Sequence, residues 1–245
     1  MASACGGGAA PSAGSAKGAE IVIGAPMSLT GGTSKEGALA KQGYDLCVDW
    51  VNTTKGGVDV GGTKHPIRIV YEDDQSKADV SAQLTQKLIT EEKAQFLLGP
   101  YGSPATASDA VIAEKNQIPM VEANGAAEAI FSKGYKYTFG VLSPAKNYLR
   151  GILDMAATLS PRPVTIAMLS ADDNFSVEVA KGVEDYASTK GFKVVFSQKY
   201  PSGASDLTSL VAQAKSANPD ILLNSGHLSD CLLYTSPSPR DRQKS

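Results

Sequence analysis

The sequence predicts an α/β protein of two lobes, each a parallel sheet covered by helices. Three observations lead there. Short apolar runs alternate with helical patterns from Ile21 to Leu223, the order that builds parallel sheets through βα crossovers. The alternation pauses near Ser143-Pro144 and then restarts, which divides it into two β-α-β-α-β series. Finally, the apolar runs in residues 96–110 (FLLGPYGSPATASDA) and 118–127 (IPMVEANGAA) each end in a small, polar, Gly-containing turn followed by a helical pattern. Such turns lie at the carboxyl end of a strand, where open α/β sheets bind ligands.

The elements follow in order. Residues 1–20 are Gly, Ala and Ser with almost nothing to bury, a flexible tether. Within it Ala2-Ser3-Ala4-Cys5 resembles the end of a bacterial lipoprotein signal, in which Cys5 would be the lipidated residue; the alternative is a free Cys in a tail. Residues 21–26 read as a strand and Met27 to Gly32 as a turn. Thr33 or Ser34 opens a helix running to about residue 52. Leu39, Gly43, Leu46 and Trp50 repeat at helical spacing, so Trp50 and Cys47 are expected in the core. Residues 55–65, with two Gly-Gly pairs, read as a hairpin or loop that exposes His65. Residues 67–71 form the next strand. The acids Glu72, Asp73 and Asp74 then stand where a helix start favours negative charge, and capping is their expected role. Val80, Leu84 and Leu88 mark the face of that helix.

The strand at Phe96, its helix, a strand at 119–121, a short helix at 126–133 and a strand at 137–141 complete the first lobe, residues 21–142. The second lobe, residues 143–230, begins with a helix at 146–159 stopped by Pro161 and Pro163. It continues as strand 164–169, helix 177–189 closed by Gly191, strand 192–196, helix 206–216 and strand 220–223. Residues 231–245 break the pattern as a helix should begin. Residues 231–241 (CLLYTSPSPRD) match one reading frame of a transposase adapter used in sequencing libraries, so the natural protein is expected to continue past Asp230, leaving the second lobe incomplete.

Composition narrows the function. The 245 residues are 42% hydrophobic and 20% charged, enough for one large or two modest domains. A formal net charge of −2 argues against a nucleic-acid partner. No apolar run approaches the length of a membrane span. Cys5, Cys47 and Cys231 are too scattered for a zinc pattern or a disulfide framework. His65 and His227 are the only histidines, which disfavours a His-rich metal site and a Ser-His hydrolase. Dinucleotide, phosphate-loop, nucleophile-elbow and zinc-protease motifs are absent, and no cofactor or metal is expected.

The candidate site is the pair of turns. Tyr101-Gly102-Ser103 has a small residue for close backbone approach and a hydroxyl at the expected N-cap. The free N–H groups that follow suit a carboxylate or phosphate. Asn124-Gly125-Ala126 offers a second set of backbone groups. The plainer alternative is two ordinary βα turns capped by Ser and Asn.

From Ile21 to about Asp230 the chain resembles the N-terminal part of type I periplasmic binding proteins, the Leu/Ile/Val-binding branch that serves ABC importers. IGAPMSLTGG followed by EGALAKQGYDLCVDWVN, EDDQSKADVSA, LLGPYGSPATASDA and IPMVEANGAA carry it in the first lobe. IAMLSADDNFSVEVAKGVEDY, YPSGASDLTSLVAQAKSANPDILL and NSGHLSD carry it in the second. The order and spacing of these stretches are specific, not any one of them. The resemblance implies two doubly wound lobes joined by crossover strands, closing on a small molecule without covalent chemistry. By position, Ser103 is similar to the family's carboxylate-binding Ser. Asn124 and Ala126 occupy the turn that holds the ligand's carboxylate and ammonium, with Ala126 in place of the usual Thr. Phe175 and His227 align with pocket aromatics of the second lobe, and Glu36 and Tyr101 lie near the pocket mouth. The resemblance thus implies an extracytoplasmic binding protein that takes an amino acid or small amide-like ligand and delivers it to an ABC permease, and the Cys5 tether adds a lipid anchor to the membrane. The competing readings are a ligand-sensing domain of a receptor or regulator with this fold, and a hydrolase using Ser103.

Overall fold

The computed structural model describes residues 17–234; Cys5 and most of the tail lie outside them. The first part of the chain forms β1 (Ile21–Met27), α1 (Ser34–Thr54), β2 (Val58–Val60), β3 (Thr63–His65), β4 (Ile67–Asp73), α2 (Ala78–Thr90), β5 (Phe96–Leu98), α3 (Ser103–Asn116), β6 (Met120–Glu122), α4 (Glu128–Phe131) and β7 (Thr138–Gly140). A 3-10 turn at Ala145–Asn147 leads into α5 (Arg150–Ala156), β8 (Thr165–Ala171), α6 (Asn174–Thr189), β9 (Lys193–Tyr200), α7 (Thr208–Ser216), β10 (Ile221–Ser225) and α8 (Leu228–Tyr234).

Two parallel sheets result, in the orders β4-β1-β5-β6-β7 and β10-β8-β9, while β2 and β3 pair as a separate hairpin. The fold is the expected α/β class. Each sheet starts at an inner strand, steps one way and then reverses. With right-handed crossovers, that reversal places successive helices on opposite faces. Thus α1 lies on one face of the first sheet. On the other face α2, α3 and α4 pack through Leu88, Ala110, Ala113 and Ile130 onto Leu97 and Met120. In the second sheet β8 is buried on both sides. Ile166 and Met168 meet α5 and α6, and Ala167, Leu169 and Ala171 meet α7, which explains its nearly continuous apolar run.

Several local expectations are corrected. Leu39, Leu46 and Trp50 are 66%, 72% and 50% exposed, and Cys47 is exposed too. The row of α1 that meets the sheet is Gly37, Tyr44, Val48 and Asn52; Asn52 bonds both Ile67 N–H (2.8 Å) and Ile67 carbonyl (2.7 Å). The apolar stripe has the same spacing but stands two residues out of step, about 200° round the helix. The acids at the end of β4 do not cap α2, whose N-cap is Lys77 without a side-chain bond. Asp73 instead accepts Leu29 N–H, Thr30 N–H and the Thr30 hydroxyl, and Asp74 accepts the Ser28 hydroxyl, so both hold the loop after β1. Glu72 pairs with Lys87 at 2.6 Å. His65 is half-buried, its Nδ1 2.7 Å from the Ala19 carbonyl. The helix expected over 146–159 is broken into the 3-10 turn and α5. Helix α8 includes Cys231 to Tyr234.

Candidate ligand cleft

The loops at the carboxyl ends of both sheets converge on one cleft with two chambers. The smaller, about 210 Å³, is lined by Tyr101, Ser103, Asn124, Ala126, Tyr148, Phe175 and His227 among others. The larger, about 510 Å³, is walled by the loops after β1, β4 and β9 and by the start of α8, including Thr33, Lys77, Ser202 and Asp230. Tyr101 and His227 belong to both walls. Their rings meet edge to face at 6.1 Å, with the Tyr101 hydroxyl 3.5 Å from His227 Nδ1.

The N-cap of α3 stands one residue earlier than expected. Gly102, at φ +91°, is the N-cap, and Ser103 is the first helical residue. Only glycine takes such a φ without strain. The buried Ser103 Oγ therefore does not cap α3. It accepts Ala126 N–H and Ala127 N–H, each at 3.1 Å, and ties the two turns together. A hydroxyl accepts two bonds and still donates one, so the Ser103 proton remains for the cleft. Among the described residues, Ser103 N–H and Ala105 N–H have no acceptor.

The second turn is held from below by Glu122, the last residue of β6. Its buried carboxyl accepts Gly125 N–H at 2.7 Å and Asn124 N–H more closely, and lies 2.8 Å from Thr106 Oγ1. Burial pushes this carboxyl up to about 7, against the pull of those donors. Asn124 Nδ2 donates to the Tyr44 hydroxyl at 2.7 Å. All four N–H groups from Asn124 to Ala127 are thus engaged inside the protein, and the donors left facing the cleft belong to the start of α3.

On the second lobe, Asp173 caps α6 by accepting Ser176 N–H (3.0 Å) and hydroxyl (2.9 Å), and it lies 3.3 Å from His227 Nε2. The bond to Asp173 holds the His227 imidazole above its ordinary value, despite its burial. Burial pushes Asp173 up, but His227 and Ser176 bring its carboxyl below its ordinary value. Phe175 stands edge to face with Tyr148 at 5.2 Å and tilted against His227 at 6.2 Å. Tyr148, Phe175, His227 and Tyr101 therefore form one connected run of rings across the cleft.

Of the residues singled out in the sequence, Tyr101, Gly102, Ser103, Asn124, Ala126, Phe175 and His227 come together around the smaller chamber. Gly125 sits below it, against Thr106 and Glu122. Glu36 lies to one side, accepting Leu228 N–H at 3.3 Å across the lobes. Sequence reasoning missed Tyr148, Asp173 and Glu122. An acid inside the apolar stretch IPMVEA and a second Asp before the helix of SADDN were the available signals.

A family model described as "Periplasmic binding protein" matches residues 20–233. Among curated proteins, the Leu/Ile/Val-binding protein homolog 8 of Brucella abortus is 23% identical over 223 residues, covering 88% of this chain and 54% of that protein. Homolog 7 of the same organism is 27% identical over 236 residues, covering 93% and 56%. A leucine-binding protein of Thermotoga maritima superposes with a TM-score of 0.77 at 20% identity, covering 91% of this chain and 60% of the other. A solute-binding protein of an ABC transporter from Rhodopseudomonas palustris HaA2, solved with p-hydroxybenzoic acid, gives 0.77 at 22% identity, covering 88% and 56%. The chain spans about half the length of the curated relatives it matches. Among the described residues, no helix is long and apolar enough to cross a membrane.

Proposed function

The chain belongs to the periplasmic binding protein family, and on that premise we propose that it is the ligand-capturing part of an extracytoplasmic solute-binding protein that feeds an ABC importer. The observation that carries the reading is a cleft between the carboxyl ends of two parallel sheets, with the Ser103 N–H and the undonated Ser103 hydroxyl proton at its wall. The ligand's carboxylate meets those donors at the start of α3, and an amino acid or small amide-like solute meets the rest of the chamber. Ligand docks on the first lobe. The second lobe closes because Phe175 and His227 gain contact with it only in the closed state, a shift of population that the permease reads. Binding, not turnover, is the activity, and a lipid at Cys5 anchors the protein to the membrane. Loss of lipid labelling in Cys5→Ala supports the anchor, and labelling that survives the change removes it.

A second reading of the ligand is an aromatic carboxylate. The run of four rings favours it, as does Ala126, which brings no hydroxyl to meet an ammonium. Calorimetry on the full-length protein with leucine, glutamine, benzoate and 4-hydroxybenzoate separates the two. Saturable binding of leucine or glutamine supports the first reading, and binding of the benzoates alone supports the second. Hydrolysis of a model ester or amide without tight binding of any of the four overturns both.

A further inference from the structure

Thr106 and Glu122 stand in an arrangement in which only one protonation state makes every contact of the Thr106 hydroxyl a hydrogen bond. Thr106 Oγ1 lies 2.9 Å from the Gly102 carbonyl and 2.8 Å from Glu122 Oε2. Both partners are acceptors when Glu122 is ionised, yet the hydroxyl has a single proton to give. Both contacts become full hydrogen bonds when Glu122 carries a proton on Oε2. It then donates to Thr106 Oγ1, and Thr106 donates to the Gly102 carbonyl. The other oxygen, Oε1, accepts Asn124 N–H and Gly125 N–H. Two glycines keep the space for this pair. A Cβ at Gly99 would collide with Glu122 Oε2, and one at Gly125 with Thr106 Oγ1.

We propose that Glu122 is held as the neutral acid and acts as a positioning residue, clasping the two cleft-facing turns at Gly102 and at Asn124-Gly125, so that its ionisation weakens ligand binding. The proposal rests on the cleft being the ligand site. The charged and titratable groups around Glu122 favour the neutral form. Tyr44 from α1 reaches the same turn through Asn124. Buried Asp109 of α3 and, behind it, buried Asp74 after β4 add only potential negative charge. Asp109 Oδ1 and Asp74 Oδ2 have no hydrogen-bond partner, and no cation pairs with Glu122 among the described residues. The raised value of Glu122, about 7 against an ordinary 4.5, agrees with the geometry.

When Glu122 ionises, Oε2 competes for the Thr106 proton and the Gly102 carbonyl loses the hydroxyl, keeping only the Thr106 N–H at 3.1 Å. Ligand affinity is therefore greatest below neutral pH and falls about threefold to tenfold as pH rises through the Glu122 value, the size of one neutral hydrogen bond. Two measurements on the full-length protein test this. Carbon-13 spectra of carboxyl-labelled glutamate, with the Glu122 signal assigned by its loss in Glu122→Gln, should keep a neutral-acid shift at about pH 5.5 and titrate near neutrality. A midpoint in the ordinary glutamate range overturns the proposal, whether or not a ligand binds. Calorimetry with whichever of leucine, glutamine, benzoate or 4-hydroxybenzoate binds should then show the fall in the wild type. Glu122→Gln should flatten it, because the amide donates to Thr106 at every pH. Thr106→Ser should retain the pH response, and Thr106→Val should lose it. An unchanged slope in Glu122→Gln also overturns the clasp. Failure of all four solutes to bind counts against the proposed function and leaves the carbon-13 titration to decide the clasp.

Discussion

The Ser103 hydroxyl accepts two backbone N–H groups and keeps its own proton for the cleft, so its removal acts twice. Ser103→Ala deletes a donor to a ligand carboxylate, worth about 1.5–3 kcal/mol, and affinity should fall about 10- to 150-fold. It also strands the N–H groups of Ala126 and Ala127, which should cost about 1–3 kcal/mol of ligand-free stability. Calorimetry alongside urea denaturation separates the two effects. Full affinity with the fold intact would mean that this turn only supports the structure. The Asp173–His227 pair predicts a pH window. The His227 part of its stabilisation is fully present below the unfolded His value and lost as pH rises through the raised folded value. The Asp173 part is present above the unfolded Asp value and lost as pH falls through the lowered one. Asp173→Asn should lower the His227 midpoint in a proton NMR titration and flatten stability against pH at both ends. A His227 midpoint that does not move would show that the pair is not formed in solution.

At the scale of elements, α6 joins the lobes. Val179 packs with Ala126 and Ala145, and Phe175 lies against the same cluster. One turn along, the Glu178 carboxylate accepts Glu128 N–H at 2.6 Å and Ala129 N–H at 3.0 Å, capping α4 from the other lobe. Glu178→Ala should cost about 1 kcal/mol, the usual worth of a cap, and should speed hydrogen exchange at Glu128 and Ala129. Exchange as slow as in the wild type would show that the contact does not hold the lobes. The same scale explains the misread α1. Periodicity identifies a helix and its spacing, but two stripes of equal spacing differ only in which one meets the sheet. The polar bonds of Tyr44 and Asn52 decide that.

In the molecule as a whole, one face of the first sheet is covered only by α1 among the described residues. Leu98, Val121 and Phe139 lie in register across β5, β6 and β7 on that face, and Phe96, Val121 and Phe139 are 44%, 39% and 51% exposed. An apolar surface of this kind drives association. The 245-residue chain by itself should bind a hydrophobic dye and self-associate in sedimentation velocity, and Phe139→Lys should reduce both. A monodisperse, dye-silent chain would show that the face is covered in solution.

The sequence by itself determined the α/β class, the strand and helix order and the two turns that line the cleft. All of these rest on local alternation, Gly and Pro punctuation and short-range spacing. Only the tertiary structure decided what each polar group does. Asp73 and Asp74 hold the loop after β1 because β1 and β4 pair in parallel with Met27 beside Asp73, which brings the ends of the two strands together. Ser103 spends its acceptors on a turn more than twenty residues away. Glu122 disappears into an apolar strand in the sequence, yet it stands under both cleft-facing turns, because β5 and β6 are neighbours only in space. Hydrogen-bond partners of buried groups are set by what the fold brings within about 3 Å, and that distance is not written in the spacing of residues along the chain.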